Sequence, residues 1–201
     1  MRTTLRLVAL VLVATSIGCS VLEPRPDGAR YFLLRSIAEA PNGPPLSDVV
    51  LGLGPVTVPD YLDRPEMIDL VDLYEVRYSA QNRWIEPLGA QLYRTLGANL
   101  DAMLEPDAIL PHPWFAADGV DLQVEVTFGV IRLDTEGRWV GDAEWAVRDA
   151  STRAALERSD FDFELGRDSI PPHEIAGAFS AELQRLSTEI AEAVRRQSRD
   201  E

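Results

Sequence analysis

Leu122-Gln123-Val124-Glu125-Val126-Thr127-Phe128-Gly129-Val130 alternates, with apolar side chains at Leu122, Val124, Val126, Phe128 and Val130 and polar or small ones between them. A period of two puts the apolar set on one face of a β-strand, so this stretch is a strand with one covered side. At Ile131 and Leu133 the apolar phase slips by one residue, which predicts a bulge near Gly129. Beyond the turn at Thr135-Glu136-Gly137 the pattern returns. Trp139, Gly141, Ala143, Trp145 and Val147 share a face, while Asp142, Glu144 and Arg148 take the other. In a third segment Phe161, Phe163 and Leu165 alternate with Asp160, Asp162 and Glu164. Three amphipathic strands joined by short polar turns predict an antiparallel meander with one face covered.

The cover comes from two helices. After Pro171-Pro172, the residues Ile175, Phe179, Leu183, Leu186, Ile190 and Val194 repeat at helical spacing toward the C-terminus. Upstream, Trp84-Ile85-Glu86-Pro87 opens a helix whose Leu88, Leu92, Leu96, Leu100 and Leu104 recur every four residues until Pro106 stops it. Such a leucine stripe packs on the chain's own sheet. Earlier still, Tyr31-Phe32-Leu33-Leu34 reads as a first strand, Val49 to Val58 as a second, and Met67 to Val71 with Leu73 to Tyr78 as a short pair. Pro55, Pro59 and Pro65 take the chain out of the sheet or to its edge, because proline cannot donate to a ladder. The expected fold class is α/β: one mixed, largely antiparallel sheet with two long helices packed against it, in a single domain.

The N-terminus is of a different kind. Arg2 and Arg6 precede an apolar run from Leu7 to Ile17, then Gly18-Cys19. The run is too short for a bilayer-spanning helix, which needs about 20 residues, so it reads as a signal peptide. Its end resembles the lipobox of bacterial lipoproteins, in which the cysteine sulfur takes a diacylglyceryl group and the new N-terminus an acyl chain. Ser20 stands where an Asp would retain such a protein at the inner membrane, so the resemblance implies the periplasmic face of the outer membrane. The expected organisation is residues 1–18 as signal peptide, 19–30 as lipidated N-terminus and tether, and 31–201 as the folded domain.

Charge and composition exclude several functions. The formal net charge is −14, and loss of Arg2 and Arg6 with the leader makes it more negative. Such a surface repels phosphate backbones, which argues against a nucleic-acid partner and against electrostatic binding to anionic lipid. Cys19 is the single cysteine, so lipidation leaves the folded domain no disulfide, thiol nucleophile or cysteine metal site. His112 lies in Pro-His-Pro and His173 in Pro-Pro-His-Glu, neither at ligand spacing from another His, Cys or carboxylate. Asp160, Asp162 and Glu164 alternate on a strand and lack a calcium-loop glycine, and Ser169 before Pro-Pro fits a helix cap better than a partner for His173. The chain carries no nucleophile elbow and no phosphate-cradling glycine loop. The expectation is a protein that is not an enzyme and needs no metal or cofactor.

One segment is hard to explain as scaffold: Gly54-Pro55-Val56-Thr57-Val58-Pro59-Asp60-Tyr61-Leu62-Asp63-Arg64-Pro65. With Arg83-Trp84-Ile85-Glu86-Pro87-Leu88 and Ala98-Asn99-Leu100 behind it, the chain from Tyr31 to the last helix resembles the ABC-type transport auxiliary lipoprotein family of the PqiC type. Ile85 departs from the Ala frequent there. The resemblance implies an outer-membrane lipoprotein serving an MCE-domain periplasmic protein and, through it, an ABC permease and ATPase that move lipid between the two membranes. A homo-oligomeric ring is part of that picture. A free-standing periplasmic lipid carrier is the alternative. The loop with Pro59, Tyr61, Leu62 and Arg64 either presents an apolar and charged patch to a partner or folds Tyr61 and Leu62 into the core, since aromatic and Arg side chains favour interface centres.

Overall fold

The computed structural model describes residues 28–38, 43–115, 118–167 and 170–199. Along the chain come β1 (Arg30–Phe32), β2 (Val50–Thr57), β3 (Glu66–Leu70), β4 (Val76–Trp84), α1 (Leu88–Leu104), β5 (Ala108–Pro111), β6 (Leu122–Phe128), β7 (Arg132–Leu133), β8 (Arg138–Asp149), β9 (Ala155–Arg167) and α2 (Pro172–Gln197). The expected signal peptide, Cys19 and most of the expected tether lie outside the described residues, as does Ser169.

The alternating segments form the meander they predict. β8 pairs antiparallel with β6 on one side and with β9 on the other. The phase slip is also present: β6 ends at Phe128, β7 resumes at Arg132 against the same neighbour, and the Gly129 N–H donates to the Asp142 carbonyl at 2.8 Å.

Two sheets replace the expected single one. The larger runs β5-β2-β6-β8, with β7 and β9 also paired to β8; the smaller runs β1-β4-β3. β2 is parallel to both β5 and β6, and β1 is parallel to β4. The division follows from the prolines after β2: the turn from Pro59 to Pro65 leads the chain out of the large sheet, and β3 pairs with β4 instead. The first helix begins at Leu88 rather than at Trp84, because Trp84 closes β4 and Pro87 is extended with ψ 140°. Pro87 also bars its predecessor from helical geometry.

Both helices bury the stripes their sequences mark. Leu96, Leu100 and Leu104 of α1 and Leu186, Ile190 and Val194 of α2 are fully buried. The helices are also joined by a polar contact, in which Asn99 Nδ2 donates to Ser187 Oγ at 3.0 Å. Phe179 of α2 meets the Trp84 ring edge-on at 6.4 Å and the Phe163 ring at 5.8 Å, so one core serves both sheets. α1 ends on Glu105 in left-handed geometry, φ 46°, followed by Pro106, and Arg195 Nη2 donates to the Met103 carbonyl at 2.7 Å. That bond satisfies one of the carbonyls every helix end leaves open.

Candidate interaction surface

The segment from Pro59 to Pro65 is a built turn. The Pro59 carbonyl accepts from the Leu62 N–H at 2.8 Å and the Asp63 N–H at 3.2 Å, and Leu62 is buried. Asp63 Oδ1 accepts the Gly89 N–H at 3.0 Å. The start of α1 has no side-chain cap of its own, so Asp63 does this work from 26 positions away. Gly89 is required by the approach, since a Cβ there would lie 2.9 Å from Asp63 Oδ1. The Trp84 N–H donates to the Pro65 carbonyl at 2.6 Å. The two signature segments are therefore one structural unit, in which the first turn caps the helix that the second begins. Asp63→Ala is expected to lower unfolding free energy by about 0.5–2 kcal/mol, read from a urea melt; an unchanged midpoint would contradict the capping role.

Tyr61 ties this turn to the meander. Its hydroxyl accepts the Ile131 N–H at 2.9 Å and donates to the Ile131 carbonyl at 3.1 Å, meeting both backbone groups that the bulge takes out of the ladder. Burial, above all, holds the phenol above its ordinary value, and the Asp142 charge adds to it. Tyr61 and Leu62 thus belong to the fold. Arg64 does not: its guanidinium lies 4.5 Å over the Tyr78 ring and 3.6 Å from Glu66, with the side chain half exposed. Pro59 is half-buried at the edge of the same surface.

His112 stands apart from His173. With Trp114, Phe115, Gln123, Arg148 and Arg153 it lines a cleft of about 760 Å³ on the large sheet. Trp114 covers Gly52, where a Cβ would meet Trp114 Cη2 at 2.8 Å, so only glycine allows the indole to lie there. Glu125 holds the Arg148 guanidinium at 2.7 Å. Among the described residues no three His, Cys, Asp or Glu side chains are grouped to hold a metal ion.

The rim of this cleft is set by the β8–β9 turn. Asp149 accepts from the Thr152 N–H at 2.6 Å, the Ser151 hydroxyl at 2.7 Å and the Thr152 hydroxyl at 2.8 Å. These donors, the Thr152 N–H first, pull its carboxyl down to about 2 from an ordinary 3.8. A depressed native value stabilises the fold above the ordinary value, and that contribution is lost as the pH falls through about 2. An NMR titration should find the Asp149 midpoint near 2 and see it rise in a Ser151→Ala/Thr152→Ala variant; a midpoint at the ordinary value in the native chain would contradict the turn.

A family model for the ABC-type transport auxiliary lipoprotein component matches residues 31–191, which includes every strand from β2 onward, α1 and most of α2. This chain belongs to that family. Its fold recurs in solved structures. Protein XCC0632 from Xanthomonas campestris superposes with a TM-score of 0.70 at 14% identity, over 86% of this chain and all of that one. A second crystal structure, of an uncharacterized protein, gives 0.63 at 23% identity, over 83% of this chain and 98% of the other. At these identities the likeness shows the fold alone. No curated protein matches the chain.

Sequence reasoning missed one residue on which this auxiliary lipoprotein's signature unit depends. Gln91 sits beside the leucine stripe, fully buried, accepting the Leu34 N–H at 2.9 Å and donating to the Glu86 carbonyl at 3.1 Å. The signal was present, because a polar side chain next to an apolar helix face must find partners when covered.

Proposed function

We propose that this lipoprotein is held at the periplasmic face of the outer membrane by lipid on Cys19, and docks there the periplasmic end of an MCE-domain lipid conduit fed by an ABC permease and ATPase. The role is non-enzymatic. The observation that carries the proposal is the family match over the folded domain, directly behind a leader ending in Gly18-Cys19. No described helix is long and apolar enough to cross a membrane; lipid on Cys19 would supply the anchor in this reading.

The carrier alternative finds less support. The apolar pocket among Leu62, Met67, Trp84 and Phe179 is about 20 Å³, room for about one water, whereas ligand sites run to about 300–1,000 Å³. The larger cleft mixes Trp114, Phe115 and Val120 with Gln123, Glu125, Arg148 and Arg153, and an acyl chain laid there would have to cover charged groups. Self-association into a ring fits β9, a strand of 13 residues that pairs with β8 alone among the described strands and so leaves one edge open.

Arg64 separates docking from folding, since it is half exposed and its guanidinium meets the side chains of Glu66 and Tyr78. Arg64→Glu should keep the melting midpoint within the ordinary range of surface changes, about 0.5 kcal/mol plus the lost stacking on Tyr78 of about 0.5–1 kcal/mol. Recovery of the MCE-domain partner in a pull-down should fall about tenfold, the loss set by one desolvated charge at an interface. Undiminished recovery would remove Arg64 from the docking surface.

A further inference from the structure

The tip of the β3–β4 hairpin is the most exposed apolar feature of the described surface. Tyr74 is 96% exposed and Leu73 48%, with Val71, Val76 and Tyr78 at about two-fifths behind them. Its charged side chains are exposed but tied to the turn. Asp72 Oδ1 accepts the N–H groups of Tyr74 at 2.7 Å and Glu75 at 2.8 Å, and Glu75 pairs with Arg77 at 2.6 Å. The result is a braced turn that projects Leu73 and Tyr74 beyond the sheet, with the Asp72 carboxylate held back against the turn's own N–H groups.

The sheet topology fixes where this tip lies relative to the N-terminal tether. β1 is parallel to β4, with Arg30 opposite Asn82 and Phe32 opposite Trp84. The chain therefore enters the small sheet from the end at which β3 turns into β4. From Asn82 back to Val76 the strand spans about 20 Å, and the segment from Cys19 to Arg30 can reach about 35 Å when extended. Cys19 and the hairpin tip can thus lie in one plane.

We propose that the β3–β4 tip is a second membrane contact, inserting Leu73 and Tyr74 into the interface of the zwitterionic phospholipid surface that holds the lipid on Cys19; this rests on the anchoring proposed above. A tyrosine and a leucine on a narrow protrusion suit the boundary between head groups and acyl chains, where an aromatic ring can keep its hydroxyl in water. A protein partner of ordinary size covers about 800 Å² of each surface, which a two-residue tip does not offer. Asp72 and Glu75 outnumber Arg77 at the tip, which leaves no attraction to anionic lipid and favours a zwitterionic surface. The contact fixes the orientation of the domain, with the small sheet toward the membrane.

The test uses the full lipidated chain reconstituted in phosphatidylcholine vesicles, part of whose lipid is brominated in the acyl chain. A bimane label is placed on Leu73→Cys or, as a control, on Leu156→Cys, a position on β9 that is 41% exposed. Cys19 is the one native cysteine, so a lipidated chain has one free thiol in each variant, checked by intact mass. Insertion by about 5–10 Å predicts that the label at 73 shifts to the blue and loses more than about half its emission to bromolipid, while the label at 156 keeps its own. Equal quenching at the two positions, in chains that float with the vesicles, overturns the tip contact and leaves the anchor intact. A blue-shifted but unquenched label at 73 also overturns it, since protein then covers the tip. Chains that do not float remove the anchor and the tip contact together.

Discussion

Phe163→Ala is expected to lower the unfolding free energy by about 3–5 kcal/mol. The ring is buried on β9, where it meets Phe179 of α2 at 5.8 Å, Phe161 at 6.2 Å and Phe128 at 6.4 Å. It also fills the space over its cross-strand partner Gly141, where a Cβ would come within 2.4 Å of Phe163 Cζ. Truncation removes the ring from its helix and sheet neighbours at once, and the rigid strand pair beneath cannot collapse into the gap. Domains of this size are stable by about 5–15 kcal/mol, so the loss is a large fraction of the total. Urea unfolding of the detergent-solubilised chain, followed by tryptophan fluorescence, reads the change. A loss below about 1 kcal/mol would mean that Phe163 does not join helix to sheet.

Cys19→Ala should move the protein from the membrane pellet to the soluble periplasmic fraction. Each buried methylene of a lipid chain contributes about 0.8 kcal/mol, so losing every acyl chain removes far more than any surface side chain returns. The hairpin tip cannot compensate, because burying Leu73 fully is worth about 1.5–3 kcal/mol. Cell fractionation with immunoblotting reads the shift. A variant that stays in the membrane pellet after a carbonate wash would require an anchor other than Cys19.

The elements with a local signal were legible in the sequence, and those made by distant pairing were not. Val124 and Val126 on β6, Trp145 and Val147 on β8, and Leu183 and Leu186 on α2 face the core because periods of two and of 3.6 residues leave them no other side. The bulge at Gly129 was visible as a slip in phase. By contrast, β5 is four residues, Ala108–Pro111, closed in by prolines and without alternation, and its parallel pairing with β2 depends on a crossover through α1. The split into two sheets had no sequence marker beyond Pro59 and Pro65.

The candidate surface was legible as a motif, and its internal division was not. Sequence chemistry left open whether Tyr61 and Leu62 join Arg64 in an outward patch or fold into the core, and tertiary contacts decide for the second. Tyr61 finds its partner at Ile131, 70 positions away, and Leu62 lies in the core, which leaves Arg64 with the stacked Tyr78 facing outward. Asp63 had no evident role until its carboxylate was seen at the start of α1. Such roles come from tertiary contacts to backbone groups, which composition and spacing do not encode.

The most direct test of the docking role is purification of the C-terminally tagged protein from its native membranes in mild detergent, with mass spectrometry of the proteins that accompany it. The account predicts co-recovery of an MCE-domain protein, reduced by Arg64→Glu. Recovery of the lipoprotein alone, from cells shown to express an MCE-domain protein, would contradict it.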